Sequence, residues 1–362
     1  MDLCENKDIG KFLLAKDVDE IRKHNITNEV VNLKKPPAIN YIVKATGYYC
    51  VITNAYSDTD YEAVVEFRNA YGELRAADIA KLPFYGGLAI IYALLGIFWG
   101  FLYFQNRQDI LPVQNYITAI LIFLVIEMII TWGFYDYKNK HGSNIGSEVY
   151  LTVVSVLSAA RNSFSFFLLL IVCMGYGVVK PSLGRTMIYV RILAVTHFVF
   201  GVIYEITSLT VKQDKAGPWI LFVILPLSAS LTAFYLWTLN SLGRTMKDLS
   251  DRKQRVKATM YRRLWWGILA SIVVIFGFFF FNSFSFVGLK SPDFIPSHWQ
   301  ARWFVFDGWL NIVYLADVAF IAYLWRPTAN NRRFAMSDEV SSKSYQLSFA
   351  LSNVINPDCS RR

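Results

Sequence analysis

Ionisable side chains lie inside long apolar stretches of this sequence. Four of them are candidates for a polar site in a membrane: Glu127, Arg161, Asp307 and Asp317. A charge in the middle of a bilayer costs at least about 2.5–3.5 kcal/mol, so each must face a partner or water. No metal-ligand spacing and no nucleophile–base arrangement accompanies them. The sequence therefore predicts neither an enzyme nor a metal or cofactor site.

Arg161 lies about halfway along the apolar stretch 150–174, and polar side chains surround it. At about 100° per residue, four of them fall within a quarter-turn of one helix face: Ser155, Ser158, Asn162 and Ser165. One carboxylate cannot satisfy the donors of a guanidinium. We predict that Arg161 lines a wet cavity and, with Glu127 or Asp307 nearby, holds a lipid head group or a polar cargo end. The alternative is a closed ion pair that locks two helices.

The elements that position these residues are seven apolar stretches. They span 83–104, 111–135, 148–176, 185–209, 218–239, 264–287 and 303–325. Each is long enough to cross about 30 Å of hydrocarbon at 1.5 Å per residue. Aromatic residues, Tyr85 among them, crowd their ends as an interfacial belt does. We predict a mainly α-helical membrane protein, with a seven-transmembrane helix bundle at 83–326 and a tail at 327–362.

The distribution of Lys and Arg predicts the orientation of the bundle. The connection 243–263 between the fifth and sixth stretches carries eight of these cations. The positive-inside rule places this connection and the tail in the cytosol and the N-terminus in the lumen. The basic residues lie between spans, which argues against nucleic acid as a partner. The same loop 243–263 is a candidate site for anionic lipid, at about 1 kcal/mol per nearby cation.

The region 1–82 has a different character. β-Branched and aromatic residues dominate 39–53 and 61–67, which predicts two or three strands of a partial lumenal β-sandwich and a connector. In the lumen, Cys4 and Cys50 are candidates for a disulfide, with two free thiols as the alternative. Asn25 begins a glycosylation sequon. No apolar signal segment precedes the predicted strands, so we expect a truncated N-terminus.

Three segments carry a family resemblance. The chain reads Phe-Arg-Asn-Ala-Tyr-Gly-Glu-Leu over 67–74 and continues into the first stretch through Leu-Pro-Phe-Tyr-Gly at 82–86. Two later motifs contain Gly175, Tyr176, Gly177, Lys180 and Pro181, and then Trp325, Arg326, Pro327, Asn330, Asn331 and Arg333. In this order they resemble the lung seven-transmembrane receptor family, also called Golgi seven-transmembrane proteins with a GOLD-type lumenal domain. The fungal members are the most similar.

The resemblance implies a multi-pass protein of the Golgi membrane that cycles through endosomes and acts in membrane trafficking. It implies a bundle similar to that of Wntless, a carrier of lipidated cargo, with membrane lipid and membrane cargo as partners. Two alternatives remain, a cation channel or pH-responsive conductance and a G-protein-coupled type of receptor. No filter repeat supports the channel. The sequence lacks the Asp-Arg-Tyr motif after the third stretch and the Asn-Pro-x-x-Tyr motif at the end of the seventh, which argues against the receptor.

Overall fold

The computed structural model describes residues 61–210, 221–285 and 303–329 continuously, together with 29, 31–32, 34, 37–43, 49–53, 300 and 331. The chain divides into two compact units, Met1–Asp58 and Thr59–Arg362. Cys4, Asn25, Asn330 and Arg333 lie outside the described residues. The disulfide to Cys50 and the glycosylation site therefore stay predictions.

The predicted β-sandwich is not formed by the described residues of the N-terminal region. Segments 37–43, 49–53 and 61–68 contain no β-strand. Their apolar side chains are uncovered, with 81% of Ile42, 78% of Ile52 and 91% of Val64 exposed. A sheet of two or three strands is marginal unless a second layer buries its apolar face, and the exposures show that these residues have no such cover. The β part of the predicted fold class is corrected accordingly.

The described part of the second unit contains seven long helices, which confirms the mainly helical membrane fold. They are α1 (Lys81–Gln105), α2 (Pro112–His141), α3 (Ile145–Cys173), α4 (Thr186–Thr210), α5 (Leu221–Asp251), α6 (Arg255–Ser285) and α7, which is π-helical over Phe304–Gly308 and α-helical over Trp309–Leu324. The first six are long and apolar enough to cross a membrane. The α-helical part of α7 is apolar but shorter, and its π-helical turns lengthen it at the N-terminal end.

Local sequence signals set the hairpin between α2 and α3. Pro112 occupies the first turn of α2, where a missing backbone N–H costs nothing. Gly142, with a φ of +66°, follows the last residue of α2, a position that favours glycine. Asn144 then caps α3 by accepting a hydrogen bond from the backbone N–H of Ser147 at 2.7 Å. The two helices therefore run antiparallel across a short turn.

The helices form one bundle in which each packs against the next along the chain. In addition, α3 packs against α5, and α7 contacts both α6 and α1. Helices α2 and α3 are the most buried of the candidate spans. Buried apolar residues recur along α2 at helical spacing: Ile117, Ile120, Leu121, Leu124 and Met128. A polar side chain on the inner face of α2 or α3 is therefore shielded from lipid and solvent.

The basic connection 243–263 is shorter than the sequence suggests. Helix α5 continues to Asp251 and α6 begins at Arg255, so the predicted loop is almost entirely helical. Its buried side chains follow the helical period: Thr245, Leu249, Lys257 and Tyr261. These residues extend the buried face of both helices beyond the apolar stretches. The cations therefore lie on helix ends rather than on a long loop.

Candidate functional site

Arg161 of α3 lies at the centre of a polar network between α2, α3 and α7. Its Nη1 lies 3.3 Å from Oε1 of Glu127 on α2 and donates a hydrogen bond to Oδ1 of Asn311 on α7 at 3.1 Å. Its Nη2 donates to Oγ of Ser158 at 3.3 Å. The guanidinium carbon lies 5.3 Å from the centre of the Tyr314 ring. One cation thus joins three helices through an ion pair, two hydrogen bonds and a cation–π contact.

Glu127 is the most deeply buried acid of this network. Only 2% of the residue is exposed, and its Oε1 faces Arg161. Within the described residues, its buried Oε2 has no hydrogen-bond partner. A buried polar atom without a partner costs about 1–3 kcal/mol, and more when it is charged. The network therefore holds one unused acceptor, which a water molecule or a polar ligand group can fill.

A chain of polar groups leads from Asn311 toward the N-terminal ends of α1 and α7. Nδ2 of Asn311 donates to Oδ1 of Asp307 at 3.0 Å. The other oxygen of Asp307 accepts from the hydroxyl of Tyr85 at 2.8 Å and lies 3.6 Å from Nζ of Lys81. The side chain of Asp307 is 31% exposed. The chain therefore connects a partly exposed carboxylate at the helix ends with the buried Glu127.

The π-helical start of α7 places Asp307. Asp307 lies within Phe304–Gly308, where the wider turns change the direction of the side chains. A Cβ on Gly308 would lie 2.8 Å from both the Phe304 and the Trp303 rings. Only glycine fits there without a shift of these rings. The local sequence therefore supports an irregular turn at the residue that begins the polar chain.

The structure brings together Glu127, Ser158, Arg161 and Asp307, but neither Asp317 nor Asn162. Asp317 accepts a hydrogen bond from Ser271 on α6, so it links α6 with α7. Asn162 is exposed, although it shares a helix face with Ser158. A common angle on α3 therefore does not imply a common neighbour. These two residues therefore lie outside the network around Arg161.

The sequence does not predict four members of the network: Lys81, Tyr85, Asn311 and Tyr314. Tyr85 fits an interfacial belt, Lys81 precedes the first apolar stretch, and Asn311 and Tyr314 are uncharged. One signal was present, since Lys81 and Tyr85, like Asp307 and Asn311, are four residues apart and share a helix face. Which helix faces which cannot be obtained from that spacing.

The family motif at 175–181 shapes the turn after α3. Gly175 has a φ of +82°, and a Cβ there would lie 2.8 Å from Cβ of Val179. Gly177 has a φ of +73°, and a Cβ there would lie 3.1 Å from Cδ of Pro112. Both conformations favour glycine. The ring of Tyr176 also meets the first turns of α2, so the motif supports the packing of the turn against that helix.

The described residues of the family motif at 325–333 fix the end of α7. Trp325 is buried, and its carbonyl oxygen accepts a hydrogen bond from Nε2 of Gln114 on α2 at 2.9 Å. Its ring packs edge-on against Tyr261, whose hydroxyl donates to the carbonyl of Val172 at 3.3 Å. The carbonyl of Pro327 accepts a hydrogen bond from Asn106, Arg326 stacks on Tyr323, and Asn331 accepts a hydrogen bond from Thr328. The described residues of this motif therefore stabilise helix packing at the end of the bundle opposite to Asp307.

The bundle and its buried network define a multi-pass membrane protein of the seven-transmembrane type. Comparison with known families gives the particular group. Residues 80–332 match the family model of the GOST seven transmembrane domain, and residues 1–69 match that of the PTM1-like N-terminal domain. The chain belongs to the GOST seven-transmembrane family. The family resemblance of the sequence is thus confirmed at this level, and the lung receptor assignment with its GOLD domain is not.

Individual relatives agree with this assignment. "Membrane protein PTM1" of Saccharomyces cerevisiae is 36% identical over 93% of this chain and 66% of its own length. A protein of Schizosaccharomyces pombe is 33% identical over 97% of this chain and 70% of its own length. "Transmembrane protein 87B" of Homo sapiens is 29% identical over 73% of this chain and 46% of its own length. The chain thus spans about two thirds of the fungal relatives and about half of the human one.

Proposed function

We propose that this chain carries lipidated or lipid-like membrane cargo in the secretory pathway. It resides in the Golgi membrane and cycles through endosomes, with the N-terminus in the lumen and the C-terminus in the cytosol. One observation carries the proposal: a chain of polar groups leads from the partly exposed Asp307 to Glu127, whose Oε2 is buried without a partner. Membership of a family of multi-pass membrane proteins is consistent with this role.

The chemistry of the network limits what the cargo presents. Oε2 of Glu127 accepts hydrogen bonds, so the matching group is a donor such as a hydroxyl, an ammonium or an amide. The core around the network is apolar, which suits acyl chains. The cargo is therefore an amphiphile with a donor-bearing polar end. The site holds it without reacting with it, because no nucleophile–base pair lies in the network.

A cation conductance is the competing function, and the charges of the network disfavour it. Arg161 lies beside Glu127 and Lys81 lies beside Asp307. Each carboxylate is thus matched by a cation, so the path carries no net negative field that would attract permeant cations.

Ion flux separates the two functions. Purified chain is reconstituted into liposomes loaded with potassium, and efflux is recorded against empty liposomes. The carrier predicts no efflux above the empty liposomes at neutral or acidic pH. Efflux that depends on the chain would overturn the carrier in favour of a conductance. Fluorescence imaging of the tagged chain in cells tests the location, with overlap with a Golgi marker expected.

A further inference from the structure

A pocket lies at the other end of the bundle from Asp307. It has a volume of about 520 Å³ and lies where α3 ends, α4 begins and α5 ends. Its lining includes three cations, Lys180, Arg244 and Lys247. None of the three forms an ion pair or side-chain hydrogen bond among the described residues. Their charges are therefore available to a ligand.

The pocket also carries two carboxylates. Asp248 lies 3.3 Å from Arg252, the residue that follows the end of α5, so its charge is offset by this cation. Asp251 is exposed and has no ion-pair partner within the described residues. The three cations outnumber the two acids even before Arg252 is counted. A ligand with more than one negative charge gains most from such a lining, because its attraction to the cations exceeds the repulsion by Asp251.

Hydrogen bonds hold the backbone segments that form the walls of the pocket. Thr245 of α5 donates a hydrogen bond to the carbonyl of Cys173 at the end of α3 at 2.9 Å, and both residues are buried. The backbone N–H of Lys180 donates to the carbonyl of Gly175 at 3.0 Å, and its carbonyl accepts from Gly177 at 2.8 Å. The turn that carries Lys180 is thus held against the helix that carries Arg244 and Lys247. An ordered backbone lowers the conformational entropy that is lost when a ligand binds.

We propose that this pocket binds a phosphomonoester group of a membrane lipid head group. A phosphomonoester carries about −1.5 to −2 charges at neutral pH and three acceptor oxygens, which match the cations and the hydroxyls of Ser182 and Ser241. Leu183 and Trp237 add apolar surface to the same lining, and they can contact the glycerol and the first methylenes of a lipid. The site is separate from the proposed cargo site, and its binding does not depend on that function.

Binding of short-chain lipids to the purified full chain in detergent tests the site. The probes are dioctanoyl phosphatidic acid and dioctanoyl phosphatidylinositol bisphosphate, with dioctanoyl phosphatidylserine as the phosphodiester control and inositol trisphosphate as the lipid-free phosphate. The first two are expected to bind at least tenfold more tightly than phosphatidylserine. The triple variant Lys180→Gln/Arg244→Gln/Lys247→Gln is expected to lose about 100-fold in affinity, at about 1 kcal/mol per cation.

Matched variants separate this site from general attraction to a basic surface. Arg255→Gln/Arg262→Gln/Arg263→Gln removes the same charge from exposed cations of α6 that do not line the pocket, and it is expected to change affinity less than threefold. Asp251→Asn is expected to tighten binding severalfold. Equal losses in both triple variants, or no preference for phosphomonoesters, would overturn the proposal. If inositol trisphosphate binds as tightly as the lipids, the lipid source is wrong and the ligand is a soluble phosphate.

Discussion

Arg161→Gln is expected to destabilise the bundle more than Glu127→Gln, and the double variant is expected to recover part of the loss. Arg161→Gln leaves the buried carboxylate of Glu127 without its cation, and breaking a buried pair in this way costs about 3–5 kcal/mol. Glu127→Gln keeps an acceptor for Arg161, which also retains Asn311, Ser158 and the Tyr314 ring. That loss is expected to be about 1–2 kcal/mol.

In the double variant two neutral amides replace the ion pair, so no buried charge is left. We expect a coupling free energy of about 2 kcal/mol or more in the cycle. Thermal unfolding in detergent measures it, since each kcal/mol shifts the Tm of a chain this large by about 2–4 °C. Arg191→Gln is the control, an exposed arginine on α4 for which no shift is expected. Additive losses in the double variant would refute the pairing.

Three further predictions concern packing and topology. Gly267→Ala brings a Cβ against the ring of Phe320 on α7, so it is expected to lower the free energy of unfolding by about 1–3 kcal/mol. Gly277→Ala lies on the same helix but meets open space, so it is expected to be neutral. Gln114→Ala removes two buried hydrogen bonds, one of them to the Trp325 carbonyl, and is expected to lower the free energy of unfolding by about 2 kcal/mol or more. Gln108 is exposed, so the control Gln108→Ala is expected to lower it by less than about 0.5 kcal/mol. Protease treatment of sealed microsomes is expected to remove the C-terminal tail and spare the N-terminal unit, and the opposite pattern would contradict the orientation.

The helical part of the fold was predictable because membrane spans are encoded locally. An apolar stretch of sufficient length has to become a helix in a bilayer, so seven stretches gave seven helices. The predicted helix ends were less accurate where the helices stay buried beyond the apolar stretches, as at Thr245 and Lys257. The prediction of N-terminal strands was wrong for a different reason. β-Propensity indicates residues that suit a pleated surface, but a strand also needs partners and a covering layer.

The site was predictable only in part. Charges inside apolar stretches identified Glu127, Arg161 and Asp307, because a charged side chain in hydrocarbon is costly unless it faces a partner or water. The sequence left Glu127 and Asp307 as equal partners of Arg161. The structure pairs Glu127 with it directly and reaches Asp307 only through Asn311. That choice depends on the rotation of α7 against α3, a property of the assembled bundle.

The most direct measurement is native mass spectrometry of the chain purified in a mild detergent. Glu127→Gln is compared with the wild type and with Asp317→Asn, which neutralises a carboxylate outside the network. We expect the wild type and Asp317→Asn to carry an amphiphile with a donor-bearing polar end, and Glu127→Gln to lose most of it while its fold is retained. Equal occupancy in all three proteins, or no bound molecule in any of them, would contradict a cargo site at Glu127.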